Sequence, residues 1–450
     1  MDKEPLMKWI SLAILASAFS VNAATIAVID SGLDYKHEMI VPNLWTNINE
    51  VFDRRDNDGN GYQDDVHGWN FAEQNGQIID YSYLGTFSGD CSKYFDIQGK
   101  RFLGQATEEE IAWMKAKATD ANFAKEMGKF GNFVHGTHVA GITIRDSKSQ
   151  AMGIKLIPTE IKPFMDRLRG MKSVEVADRW EILAGLFDQL AVAQMTQLTD
   201  IARMIAFHQA DVANGSFGTG FNQVKLITDT AFRILFLKKP DADESKKAAG
   251  LFISALVKHG QGFVGSAPST LFVFAAGNDG LSNDEFGTSP ANIKADNVIT
   301  VGATYKNEFF APFSNFGTKM VDIAAPGMLI DSAIPGAGNY LKVSGTSQAA
   351  PYVANVAGVV KDSNPALSPL EVRKILMGTV DLKAFLAEKV MAGGIVNPER
   401  ARTAAELTKT MSVGEAISRS RTMVRDMVSS QSQVNKNVVT PIPLTPNFNF

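Results

Sequence analysis

Cysteine is almost absent. Cys91 is the only one in 450 residues, so no intrachain disulfide and no cysteine-built metal site can form. An excess of positive charge is missing too: 44 Lys plus Arg stand against 48 Asp plus Glu, a net charge of −4, so no basic balance points to a nucleic-acid partner. No apolar run reaches the ~20 residues of a membrane helix, so the mature chain is expected to span no bilayer. What is present is an ordinary globular composition, 45% hydrophobic and 20% charged with 37 Gly and 17 Pro. It excludes collagenous and disordered chains and suits one large domain with appendages, or two to three domains.

Near the start, Trp9 to Val21 forms a charge-free run of 13 residues, preceded by Lys8 and followed by Asn22-Ala23. That is the length of a signal-peptide core, with small residues at the cleavage positions, and it predicts a leader over residues 1–23 and an exported product, secreted or periplasmic. A buried core segment is the alternative. Cleavage after Ala23 would leave Ala24 first, with Cys91 free, buried or intermolecular.

Thr25 to Ile29 is a short apolar β run that stops at Asp30-Ser31-Gly32, which leaves an acid at a strand's carboxyl end. Similar runs cover Lys155–Ile161, Val212–Ser216, Leu271–Ala276, Val298–Val301 and Val321–Ala324. Helical signals lie between them. Thr107 to Glu110 reads as a capping box for a helix ending at Gly128, and apolar residues from Trp180 to Ile205 keep helical spacing from a start near Ser173, a core-facing stripe. Continuous apolar strands alternating with helices predict an α/β fold, a doubly wound, mostly parallel sheet flanked by helices.

Three segments carry the chemistry. In Gly345-Thr346-Ser347-Gln348-Ala349-Ala350-Pro351 a serine sits at the amino-terminal end of a helix, where free N–H groups favour a developing anion; a plain capping serine is the alternative. All six histidines precede it, which excludes the α/β-hydrolase order, and no Gly-Asp-Ser-Gly-Gly segment supports the chymotrypsin order. The order aspartate, histidine, serine remains. His135-Gly136-Thr137-His138 supplies a base, with Gly136 and the lack of a third ligand arguing against zinc, and Asp30 supplies the acid. A second Asp-Ser-Gly copy, which an aspartic protease needs, is lacking, since Asp331-Ser332-Ala333 has no glycine.

Ile26 to Gly32, His135 to Gly141 and Gly345 to Pro351 together resemble, in content and order, the three signatures of the subtilisin-like serine proteases (subtilases). The resemblance covers residues 25 to 400 and implies a secreted serine endopeptidase working through an acyl-enzyme, with no cofactor needed for the chemistry and a polypeptide as substrate. It implies His135 rather than His138 as base, Asp30 as the residue that orients it, and Ser347 as nucleophile. Ala275-Ala276-Gly277-Asn278 resembles the strand end that supplies the oxyanion-hole amide, so Asn278 takes that role. Ser216, Phe217 and Gly218 resemble the substrate-pairing strand, with Ala275, Ala276 and Gly277 opposite as the other wall of the specificity pocket and Ser289-Pro290-Ala291 its far rim. A catalytically silent scaffold used for binding or adhesion is the competing class.

Asp56, Asp58, Asn60 and Asp64 place oxygens at alternate positions around a glycine turn, a pattern that reads as a structural calcium loop or as a solvated turn. His67 stands where an EF-hand has its bidentate glutamate, and a similar Asp-rich segment before Gly68-Trp69-Asn70-Phe71 occurs in many subtilases. Departures from the family pattern are expected as well. The leader runs into the Asp30 strand with no room for an amino-terminal pro-domain, and insertions near 85–130 and 237–250 lengthen the peptidase domain, taken as residues 24–400. Residues 401–450 read as a charged helical segment to Val428 and then a polar, Pro-containing flexible tail. Nothing in the sequence specifies an oligomeric state.

Overall fold

The computed structural model describes residues 23–161, 179–428 and 434. The expected leader, the first residues of the 173–205 helix and the expected tail therefore lie outside the described residues. Twelve strands are described: β1 (Thr25–Asp30), β2 (Gly68–Asn70), β3 (Gln150–Lys155), β4 (Val212–Gly215), β5 (Leu271–Ala275), β6 (Val298–Tyr305), β7 (Phe309–Phe310), β8 (Ile323–Pro326), β9 (Ile330–Ala333), β10 (Tyr340–Val343), β11 (Asp381–Leu382) and β12 (Gly394–Ile395). Ten of them form one sheet in the order β11-β12-β8-β6-β5-β4-β1-β3-β2, with β7 paired to β6. All pairings are parallel except β11 on β12 and β7 on β6. The strands are apolar on both sides because helices cover both faces. Along β1, Ala27 and Ile29 pack into a core with Phe187, Phe232 and Phe252 from the helices Arg179–Phe207, Phe221–Phe236 and Ala242–Gly265. The alternate residues Ile26 and Val28 face the helices Ala121–Thr143 and Thr346–Ser363.

The chain leaves β1 toward β3 and later returns to its other side as β4, so the direction of winding reverses at β1. The carboxyl ends of strands around such a reversal are where an open α/β sheet builds its sites. Asp30 ends β1, and Ser216 directly follows β4.

Several expected elements shift. The strand expected at Lys155–Ile161 lies earlier, at Gln150–Lys155. Lys155, which looks like a polar boundary, is buried with its ammonium 2.9 Å from Glu73. Leu156 and Ile157 lie beyond the ladder and donate their N–H groups to the Asp30 carbonyl. The helix expected over 107–128 is two. Glu108–Thr119 has the anticipated capping box at Thr107, but Asp120 breaks it, accepting from the N–H groups of Asn122 and Phe123 and starting Ala121–Thr143. That second helix runs past the expected stop at Gly128 and carries His135.

Cys91 lies buried and free in a further helix, Gly89–Phe102, where burial pushes its thiol up to about 12. The stretch expected to be an insertion packs Phe95, together with Phe130 and Phe133, against Leu341 and Val343 of the β9–β10 ribbon. In the second expected insertion Lys238, Lys239, Lys246 and Lys247 are exposed, while Ser245 and Ala248 of the helix Ala242–Gly265 turn inward. The helix Pro398–Leu407 crosses the boundary expected at 400, and its Arg400 is buried against Asp381 at 3.0 Å. No described helix is long and apolar enough to cross a membrane.

Candidate active site

At the carboxyl edge of the sheet Asp30 pairs with His135, and Ser347 is bonded to Ser216 just beyond β4, the strand beside β1. Asp30 and His135 are both buried, and His135 Nδ1 lies 2.7 Å from Asp30 Oδ1. The same oxygen accepts the Ser31 N–H at 2.7 Å, so the carboxylate is fixed by its own turn before it meets the imidazole. Ser31 Oγ in turn accepts the Gly136 N–H at 3.0 Å, a second tie between the strand end and the His135 helix. This close approach requires glycine. A Cβ on Gly136 would stand 2.0 Å from the Gly32 carbonyl oxygen, and Gly32 itself has φ +92°.

Ser347 is the second residue of the helix Thr346–Ser363, 7% exposed, with Gly345 as N-cap and Pro351 accommodated inside. Its hydroxyl donates to the Ser216 carbonyl at 3.0 Å, and Ser216 Oγ donates to the Ser347 carbonyl at 2.8 Å. Asn214 Nδ2 donates to Ser216 Oγ at 2.9 Å and completes the link to β4.

Asn278 Oδ1 accepts two hydrogen bonds from Thr346, from its N–H and its Oγ1, each 2.9 Å. With the oxygen so occupied, the amide Nδ2 is left to point elsewhere; a Cβ on Gly345 would stand 3.7 Å from it. Thr346 Oγ1 also accepts from the Gly277 N–H at 3.2 Å, so Thr346 holds both the Gly277 turn, at φ +109°, and the Asn278 side chain. Reading the sequence alone gave Thr346 no role. Its place beside the serine in Gly345-Thr346-Ser347 was the signal that could have found it.

Of the residues expected to wall the pocket, Ser216, Ala275 and Ala276 are buried, Phe217 and Gly277 are half-buried, and Gly218 is exposed. The far rim at Ser289 is tied back to the near wall by paired backbone bonds with Thr219, at 2.8 and 3.2 Å. His138 lies apart from the site. It is fully buried, with Nε2 between the carbonyls of Leu341 and Ile330 at 2.9 and 3.1 Å, so it joins its helix to the β9–β10 ribbon.

The acidic loop contains two groups whose ligand atoms lie within 4.8 Å of one another, Asp58 with Asp65 and His208, and Glu50 with Asp56 and Asp58. Among the expected ligands, Asp56 and Asp58 join these groups. Asn60 Nδ2 reaches Asp65 Oδ2 at 2.9 Å, whereas Asp64 Oδ1 is taken by the N–H groups of Asp53 and Arg54. The buried acid at the centre is Asp65; beside it, burial raises the carboxyl of Glu50 above its ordinary value. Oxygen-rich donors concentrated on buried carboxylates fit a hard divalent cation. Asp56 is partly spent already, since the Gly61, Gly59 and Asn60 N–H groups hold its carboxylate below the usual range.

The profile of the Subtilase family matches residues 22–411. The chain is 39% identical over 136 residues to Alkaline elastase YaB of Bacillus sp. (strain YaB), a match covering 30% of this chain and 34% of that protein. It is 25% identical over 406 residues to Subtilisin-like protease 1 of Plasmodium vivax, covering 86% of this chain and 48% of that protein. The chain thus spans a third to a half of the length of these relatives. A solved cold adapted subtilisin-like serine proteinase aligns over 83% of this chain and 90% of its own, with 20% identity and a TM-score of 0.41.

Proposed function

This chain belongs to the subtilase family, and from that premise we propose that it is an exported serine endopeptidase with Asp30, His135 and Ser347 as its catalytic triad. The observation that carries the reading is the 2.7 Å pair of His135 and Asp30, residues 105 apart in sequence and both buried. Rotation about the Ser347 Cα–Cβ bond releases the hydroxyl from the Ser216 carbonyl toward the imidazole. His135 Nε2 then accepts the hydroxyl proton as Oγ bonds to the substrate carbonyl carbon. Asp30 holds the proton on Nδ1 and stabilises the imidazolium. The oxyanion receives hydrogen bonds from Asn278 Nδ2 and the Ser347 N–H. As the scissile C–N bond breaks, the imidazolium gives its proton to the leaving amine. Water repeats the sequence on the acyl-enzyme and restores Ser347. Residues 216–218 bind the substrate by main-chain pairing, a mode that selects extended segments and loops.

A fluorophosphonate probe tests this. Labelling of wild type that disappears in Ser347→Ala, with a peptidase rate lower by about 10⁴-fold or more in Ser347→Ala and His135→Ala, is expected. Double variants should be hardly slower than single ones, because the three groups act as a unit. No labelling of a folded wild type would leave the silent binding scaffold instead. The charge-free run Trp9 to Val21, followed by small residues at Ala23, supports export, and the Glu50, Asp58 and Asp65 oxygens are the proposed holders of a calcium ion.

A further inference from the structure

The start of β1, at the opposite end of the strand from Asp30, holds an arrangement that peptide hydrolysis does not use. Ala24 is buried, and its backbone nitrogen lies 2.6 Å from Asp362 Oδ1. Asp362 belongs to the last turn of the Ser347 helix, where a negative charge meets the negative end of the helix dipole. Its other oxygen accepts from Ser149 Oγ at 3.2 Å. One residue on, the Thr25 N–H donates to Asp211 Oδ2 at 3.1 Å. Two carboxylates thus converge on the nitrogens of Ala24, just before the strand, and Thr25, its first residue. The cations facing them are Lys361, 3.4 Å from Asp211 Oδ1, and Lys148, which acts on Asp362 from further away. Burial and the neighbouring Asp211 both raise the Asp362 carboxyl above its ordinary value. A neutral peptide N–H compensates such a carboxylate poorly, and a cation at the same point would compensate it well.

We infer that the Ala23–Ala24 bond is a processing site whose product, the α-ammonium of Ala24, forms an ion pair with Asp362 that locks β1 onto the nucleophile helix. The inference rests on the export reading. In the step itself, the bond between the Ala23 carbonyl carbon and the Ala24 nitrogen breaks. Water supplies a hydroxyl to the carbon and a proton to the nitrogen, and the new carboxylic acid passes its proton to the amine. The cut precedes folding, because Ala24 is inaccessible once β1 is in the sheet, and it falls to a leader peptidase that reads small residues before the bond. The pair then joins positions 338 residues apart, through the hydrogen bond already in place. An α-amine ordinarily titrates near about 7.7–8.0. Asp362 and Asp211 raise that value, opposed by burial, Lys361 and Lys148. An ion pair that stabilises the fold raises the value by linkage, so its contribution is present in full below about pH 7.7 and is lost as pH rises through the folded value.

The test compares two forms of the 450-residue chain, both with Ser347→Ala to prevent self-digestion: one processed by an exporting host and one kept uncut in the cytoplasm. Amino-terminal sequencing should place the exported start at Ala24. The exported form should melt about 2 °C or more above the uncut form at pH 7. That difference should vanish by roughly pH 10 and should be absent in Asp362→Asn. A start elsewhere, a difference independent of pH, or an equal loss in both forms of Asp362→Asn overturns the inference. Should Asp362→Asn not fold, the pH dependence of the parent difference decides. None of these measurements reads peptidase activity, so the inference and the protease reading can fail separately.

Discussion

Asn278 owes its orientation to one neighbour. Both bonds to its Oδ1 come from Thr346, so the direction of Nδ2 depends on a residue that is not expected to touch the reacting atoms. Asn278→Ala should lower kcat by about 10²–10³-fold, the usual cost of one oxyanion donor. Thr346→Ala removes the hydroxyl that also holds the Gly277 N–H, and it should lower kcat by roughly 10-fold with little change in KM. A purely structural role for Thr346 would lower the melting temperature and leave the kcat to KM split unmoved. His138 carries a prediction in pH. Burial pushes its imidazole down to about 3, so between pH 6.5 and that value the unfolded chain binds a proton that the native chain refuses. Stability should therefore fall as pH drops below about 6.5. Urea midpoints measured from pH 7 to 4.5 should decline less steeply in His138→Gln than in wild type, and parallel declines would remove His138 from the account.

Among the elements, the helix Ala121–Thr143 is where pattern reading and structure part most clearly. A capping box and an apolar face marked one helix over 107–128, and the Thr107 cap is there. The break at Asp120 was not legible, because aspartate inside a helical run is also an ordinary exposed residue; it becomes a cap only where the chain turns so that its carboxylate meets the next helix's free N–H groups. Gly128 then fails to stop the helix because Met127, Phe130 and Phe133 bury in one cluster with Cys91 and Phe95. Gly136 is a different matter. Its Cβ would collide with a backbone oxygen, which no rotamer can relieve, so Gly136→Ala should cost about 3 kcal/mol or more and lower the melting temperature sharply. Gly250, which meets nothing within 4 Å on another helix, is the control, and Gly250→Ala should be neutral or stabilising. Similar melts for both variants would mean that the His135 helix can move away from the Gly32 turn.

At the scale of the molecule, the acidic loop is a tether between distant parts of the chain. Asp65 reaches His208, which packs edge-on against Trp45, and Asn47 Nδ2 donates to both Asp58 and Asp65 at 2.9 and 3.0 Å. A calcium ion bound to Glu50, Asp58 and Asp65 would neutralise clustered carboxylates and bind only the folded state. Chelator in excess should lower the melting temperature, and added calcium should restore it in proportion to the logarithm of its concentration. Asp65→Asn should abolish that dependence, whereas Asp64→Asn, whose Oδ1 serves the amides of residues 53 and 54, should keep it. An unchanged melt in chelator, with no metal retained after desalting, would leave a loop held by its own amides.

The local sequence determined most of the strand cores, the Thr107 capping box and the identity of the three motif segments, because each depends on residues within a few positions of one another. The doubly wound α/β class was legible for the same reason, since apolar runs alternating with helical stripes admit few packings. Chain order alone excluded the α/β-hydrolase arrangement, and the lack of a Gly-Asp-Ser-Gly-Gly segment set aside the chymotrypsin one. Only the tertiary structure decided that Asp30 and His135 lie 2.7 Å apart, that Asp65 rather than Asp64 joins Asp58 and His208, and that Thr346 orients Asn278. It likewise brought Ala24 to Asp362, 338 residues away. Such contacts are set by sheet order and helix packing, and spacing in the chain carries no record of either.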